Sequence, residues 1–278
     1  MWSSKDVYYI SDSTGILATS LGRALICQFP EINFHEERFP FILTVDEAKK
    51  TLDYILKQSM GRRPLIFTTI MNPKVRKIFD TPEVELFDAF AFFMEKLETC
   101  LEAKALGVPG FSRHIGDVSM SKRVDAIHFC LEHDDGIKPE ELGEAEIILL
   151  GVSRSGKTPV SVYLATQMGL KSANFPLTAE YLSRYRLPPS ITRNVSRAVG
   201  LTTTPELLHE IREKRYPKSS YAKLSTCIEE IQMAEQLFNK HKIPVISTAG
   251  KSIEEIATQV SQEMGLSKKP ATLNSRTP

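Results

Sequence analysis

Along this chain a short apolar run, a small polar loop and a stretch with helical spacing follow one another again and again. The first instance is Val7-Tyr8-Tyr9-Ile10, then Ser11-Asp12-Ser13-Thr14-Gly15, then a helical pattern over 16–29. Ser13 and Thr14 are placed to cap that helix, and the same loop could instead hold an anion at the helix N-terminus. Phe39-Pro40-Phe41-Ile42-Leu43 reads as a strand confined to an edge or a start, because Pro40 gives a ladder no N–H. Thr44 and Glu47 mark a capped start for a helix to about residue 58. Leu65-Ile66-Phe67-Thr68-Thr69-Ile70 has the continuous apolar character of a buried strand. After an Asn72-Pro73 turn, 82–106 reads as one long helix, whose Phe87, Phe90, Phe93, Met94 and Leu97 form an apolar stripe for packing. Gly107-Val108-Pro109-Gly110 breaks it, and weak periodicity to Ser121 marks a linker.

The second half repeats the alternation. Residues 123–131 are helical and end in His133-Asp134-Asp135-Gly136. Ile147-Ile148-Leu149-Leu150 is a buried-strand run, with a helix over 160–168 after it. Strands follow at 171–176 and 195–201, with an irregular crossover around Leu187-Pro188-Pro189 between them. Thr204 caps and Pro205 opens a helix to 213; Arg212 and Arg215 sit at its C-terminal end, where positive charge complements the helix dipole. A helix over 220–241, a strand over 243–248, a helix opening at Ser252 and a frayed tail beyond Leu266 complete the chain. The pattern predicts an α/β protein: an N-terminal α/β domain over 1–108, and a C-terminal P-loop-type domain with a mainly parallel sheet over 109–278. Right-handed crossovers would place the site at the strand C-termini.

Composition narrows the class. The 278 residues are 42% hydrophobic and carry a formal net charge of +1, which points to neither a nucleic-acid nor a membrane partner. Cys27, Cys100, Cys130 and Cys227 form no metal-type pair and read as reduced thiols, with Cys27, Cys130 and Cys227 in apolar helical patterns that suit core packing. The sequence shows neither a leader nor a span-length apolar stretch, so a soluble, cytoplasmic protein is expected.

The candidate chemistry centres on Gly151-Val152-Ser153-Arg154-Ser155-Gly156-Lys157-Thr158, which spells G-x-x-x-x-G-K-T between a strand and a helix. Glycines let backbone N–H groups close around an anion, and the following helix adds its free donors and dipole. Lys157 supplies positive charge to terminal phosphates, and the Thr158 hydroxyl is placed to hold Mg²⁺. Pro159 is tolerated in a first turn, where its missing N–H is not needed. Asp134 and Asp135 stand at a helix C-terminus and read either as a solvated helix end or as a functional pair; acidic charge there mildly opposes the dipole, which singles the pair out.

With these pieces together, the chain resembles the bacterial regulatory proteins of phosphoenolpyruvate synthase, relatives of the pyruvate, phosphate dikinase regulatory proteins. The resemblance rests on Ser11-Asp12-Ser13-Thr14-Gly15, Arg123-Val124-Asp125-Ala126-Ile127, His133-Asp134-Asp135-Gly136 and the Gly151 to Pro159 loop. It continues through Tyr163-Leu164-Ala165, Ala173-Asn174-Phe175-Pro176, Gly200-Leu201-Thr202, Ile211-Arg212 with Arg215, and Ser220-Tyr221-Ala222. Residues 111–120 depart from the family pattern, so no role passes to His114. The resemblance implies a bifunctional enzyme. It would phosphorylate a threonine of phosphoenolpyruvate synthase with ADP as donor, and remove that phosphate with inorganic phosphate, forming pyrophosphate. Lys157 and a Thr158-bound Mg²⁺ would neutralise charge, and Asp134 or Asp135 would accept the hydroxyl proton or bind the metal. The same chemistry on pyruvate, phosphate dikinase, an ATP-dependent small-molecule kinase and a nucleotide sensor remain alternatives. The oligomeric state is left open, a homodimer among the options.

Overall fold

Each half of the chain builds one four-stranded, wholly parallel sheet. The computed structural model describes residues 4–109 and 120–266. The chain divides into two units, Met1–Ile115 and Gly116–Pro278.

The first unit runs β1 (Ser4–Ile10), α1 (Ile16–Ile26), β2 (Asn33–Phe39), α2 (Val45–Gln58), β3 (Leu65–Thr68), α3 (Pro73–Arg76), β4 (Glu85–Asp88) and α4 (Ala91–Leu101). Its sheet order is β2-β1-β3-β4. Alternate residues of β1 enter different cores: Tyr8 and Ile10 pack with Ala48 and Ile55 of α2, while Val7 and Tyr9 pack with Ala18 and Ile26 of α1. Over residues 7–10 the strand is buried on both faces, which is why that part reads as a continuous apolar run. α2 opens with a reciprocal capping box between Thr44 and Glu47.

The second unit runs α5 (Met120–Glu132), β5 (Ile147–Gly151), α6 (Lys157–Tyr163), β6 (Ser172–Pro176), α7 (Ala179–Ser183), α8 (Pro189–Thr192), β7 (Ala198–Thr202), α9 (Pro205–Arg215), α10 (Leu224–His241), β8 (Val245–Ser247) and α11 (Ile253–Glu263). The sheet order is β6-β5-β7-β8. β5 divides its side chains as β1 does: Ile148 and Leu150 join the core that includes Leu237 and Phe238 of α10, and Ile147 and Leu149 join that of Val160, Ile256 and Val260. No helix of the described residues is long and apolar enough to cross a membrane.

Several expectations need correction. The edge strand lies at Asn33–Phe39, not at 39–43; its residues are mostly exposed, so it carries no apolar signal, and Pro40 follows its end. The stretch 82–106 is not one helix. Strand β4 takes Glu85–Asp88, and the Asp88 carboxylate then accepts from the N–H groups of Phe90 and Ala91 as α4 begins. Phe87 therefore stacks on Phe67 across the sheet, while Phe93 and Leu97 of α4 are exposed and form no packed stripe. Neither Ser13 nor Thr14 caps α1; Gly15 holds that position, without a side-chain cap bond. α6 ends at Tyr163 and passes into a wider π turn, Leu164–Met168. Cys27 is exposed, whereas Cys130 and Cys227 are buried. Most of the expected linker and the expected frayed tail lie outside the described residues.

Candidate active site

β5 lies between β6 and β7, so the chain leaves its C-terminal end where the strand order reverses. In parallel α/β sheets that reversal opens a crevice at the strand ends. The 151–158 loop crosses it. A Cβ on Gly151 would stand 2.5 Å from Ser155 Oγ and 2.6 Å from the Leu201 carbonyl oxygen, so only glycine lets the loop turn this close to β7. Gly156 caps α6 at φ 93° with no side-chain bond, which leaves the first N–H groups of α6 without a side-chain partner there. Arg154 also has positive φ, at 73°.

Lys157 is buried, and its Nζ donates to the Val152 carbonyl at 3.0 Å, folding the ammonium back over the loop. Burial pushes its pKa down to about 8; Asp135 and Asp134 oppose that shift, while Arg212 and Arg154 add to it. Ser155 Oγ is buried with no hydrogen-bond partner among the described residues.

The acidic pair reaches the loop from the other side. α5 gives way to a single 3₁₀ turn, Asp134–Gly136, in which Asp135 adopts φ 50°. The turn is tied to β6 by the Asn174 N–H, which donates to the His133 carbonyl at 3.0 Å. The His133 ring lies against Phe129, centroids 3.8 Å apart. Asp134 Oδ1 accepts from the Thr158 hydroxyl at 3.1 Å and from Asn174 Nδ2. Asn174 Nδ2 also donates to Thr158 Oγ1 at 2.8 Å and reaches Asp135 Oδ1 at 3.5 Å. Asn174 is thus the buried hub that gathers Asp134, Asp135 and Thr158.

Asp135, Ser153, Arg154, Gly156, Lys157 and Thr158 line a cavity of about 270 Å³, with Pro159 and Pro176 at its wall. Gly151, Val152 and Ser155 are buried beneath it. Asp134 is not in the lining and stands behind Thr158. Arg212 corrects the expectation of a helix-end charge: it is fully buried, and its Nη2 donates to the Ser153 carbonyl at 3.0 Å and to Glu230 at 2.6 Å.

This donor set fits a phosphate chain with a magnesium ion. Among the described residues no three His, Cys, Asp or Glu side chains converge as a metal cage. Magnesium needs no such cage, because one or two protein oxygens plus phosphates and waters complete its shell. The Thr158 hydroxyl and the Asp134 carboxylate are the oxygens that would hold it.

The sequence matches, over residues 7–261, the family described as kinase/pyrophosphorylase. A provisionally named phosphoenolpyruvate synthase regulatory protein of Desulfotalea psychrophila is 44% identical over 95% of this chain and 97% of its own. The like-named proteins of Laribacter hongkongensis and Bordetella pertussis are 44% and 41% identical, over 95% and 94% of this chain and 98% and 96% of theirs.

Proposed function

The chain belongs to the kinase/pyrophosphorylase family, and from that membership we propose that it regulates phosphoenolpyruvate synthase by ADP-dependent phosphorylation of a threonine and by phosphate-dependent removal of the phosphoryl group. The observation that carries the reading is one cavity on the 151–158 loop, lined at once by Lys157, Thr158 and Asp135. Phosphoryl transfer asks for positioning, charge neutralisation and a proton acceptor, and these groups match the three demands.

In the forward direction the terminal phosphate of ADP rests against the loop N–H groups and Lys157. The threonine oxygen bonds to the terminal phosphorus, its proton passes to Asp135, and the bond to the bridging oxygen breaks to release AMP. In reverse, an oxygen of orthophosphate attacks the phosphothreonine phosphorus. The phosphorus–threonine bond breaks, protonated Asp135 returns the proton to the threonine oxygen, and pyrophosphate leaves. A bound magnesium ion would supply additional charge neutralisation beside Thr158. Asp134, bonded to both Thr158 and Asn174, suits the metal side; Asp135, in the lining, suits the base. Phosphoenolpyruvate synthase enters as the substrate through the names of the relatives.

The test assays both directions with purified synthase. Lys157→Ala should abolish both, and Asp135→Asn should slow the kinase about a hundredfold, the usual order for a lost proton acceptor, with little change in ADP affinity. Near-normal phosphorolysis by Lys157→Ala would require a second site and would end this reading.

A further inference from the structure

Among the described residues Arg212 is the largest fully buried side chain, and it lies outside the cavity lining. A buried guanidinium is costly unless its donors are used. Nη2 donates to the Ser153 carbonyl and to Glu230 Oε2, and Nη1 donates to the Tyr221 carbonyl at 3.1 Å. The guanidinium carbon sits 4.0 Å from the centroid of the Tyr221 ring, and the Tyr221 hydroxyl donates to Ser153 Oγ at 2.8 Å. Ser153 is therefore held by both of its oxygens, one through Arg212 and one through Tyr221.

The consequence follows from the peptide plane. In a trans peptide the C=O and the next N–H point in opposite directions. The Ser153 carbonyl is drawn to the buried Arg212, so the Arg154 N–H of the same peptide is directed away from Arg212, and both Ser153 and Arg154 line the cavity. Arg154 holds the matching left-handed backbone, φ 73°. An outward amide at that point is a donor for an anion.

We propose that Arg212 and Tyr221 are positioning residues for the phosphate loop: they fix the 153–154 peptide so that the Arg154 N–H faces the terminal phosphate, and neither touches the nucleotide. The proposal rests on the reading of the loop as a phosphate cradle. Glu230 balances the charge of Arg212 and keeps its fork in place. Arg212→Lys keeps a cation beside Glu230 but cannot span the three acceptors, because an ammonium has no planar fork. Tyr221→Phe keeps the ring under the guanidinium and removes only the bond to Ser153 Oγ.

The test is equilibrium binding of ADP, orthophosphate and AMP to the full chain and to Arg212→Lys, Tyr221→Phe and Ser153→Ala, each checked for folding by circular dichroism. AMP lacks the terminal phosphate and serves as the internal reference. Arg212→Lys should weaken ADP and orthophosphate roughly tenfold, the order for one misdirected charge-assisted hydrogen bond, and leave AMP unchanged. Tyr221→Phe and Ser153→Ala should each cause a smaller loss in the same ratio. Their double variant should lose no more than either, because both remove one bond. A merely structural Arg212 would lower thermal stability without moving the AMP-to-ADP affinity ratio. If Arg212→Lys fails to fold, the other two variants decide. An unchanged ratio in every folded variant overturns the proposal. The readout needs no phosphoryl transfer, so a wild-type chain that binds ADP yet cannot use it as donor would remove the proposed function and leave this comparison standing.

Discussion

Lys157 shows how one side chain sets stability against binding. Burial holds its pKa at about 8, against an ordinary 10.5. Below pH 8 the lysine is charged both folded and unfolded, and the folded chain bears the full desolvation cost. Between about 8 and 10.5 the unfolded chain keeps a proton that the folded chain has lost, so unliganded stability rises with pH across that window. Thermal melts should show this rise in the wild type and not in Lys157→Met, and Lys157→Met should melt higher at pH 7 while failing to bind phosphate. Orthophosphate affinity should fall as pH rises through 8, because binding must restore the proton; a flat profile would contradict a lysine whose pKa burial has lowered to about 8. Gly151→Ala is the steric counterpart. Its new Cβ meets the Leu201 backbone oxygen as well as the Ser155 side chain, so the loop itself must move and ADP binding should be lost. The lysine and the glycines were legible from spacing alone. Asn174 and Arg212 were not readable as site residues, since their partners Asp134 and Ser153 lie 40 and 59 positions away.

At the scale of elements, legibility followed burial. β1, β3 and β5 announce themselves because both faces are covered over residues 7–10, 65–67 and 147–150, and those runs are continuously apolar. β2 is a mostly exposed edge strand of sequence NFHEERF, paired along its whole length with β1, and no apolar period marks it. The aromatic run around Phe87 and Phe93 misleads in the other direction: a strand and a helix abut with no glycine or proline between them, and Asp88 makes the joint. The caps at Thr44, Thr204 and Ser252 were readable because their chemistry is local, whereas the expected one at Ser13 or Thr14 did not form. Ser252 and Glu255 form a reciprocal box at the start of α11, whose Ile256 and Val260 pack on the β5 sheet. Ser252→Ala should cost about 1 kcal/mol of stability in chemical denaturation and leave ADP affinity unaltered. A large loss of affinity would mean that α11 does more than support the sheet.

For the whole molecule, two parallel sheets of the same size leave the site question to the loops. All the residues that line the proposed cradle belong to the second unit, and they gather where β5, β6 and β7 exchange order. The formal net charge of the chain is only +1, so net charge by itself supplies little attraction for an anion. In the proposed reading, selection for phosphate comes from the close geometry of the loop, Lys157 and the peptide at Ser153. That geometry also bears on the donor. With the reacting phosphate fixed beside Lys157, a third phosphate would extend into the space that the target threonine needs, so ATP should compete with ADP without replacing it. The direct measurement is transfer from ADP labelled in its terminal phosphate, run beside ATP freed of contaminating ADP, with purified phosphoenolpyruvate synthase as acceptor. Label should appear on a synthase threonine with AMP formed in equal amount, and purified ATP should give no transfer. Phosphorylation by purified ATP at the ADP rate, with ADP as product, would contradict the account at its centre.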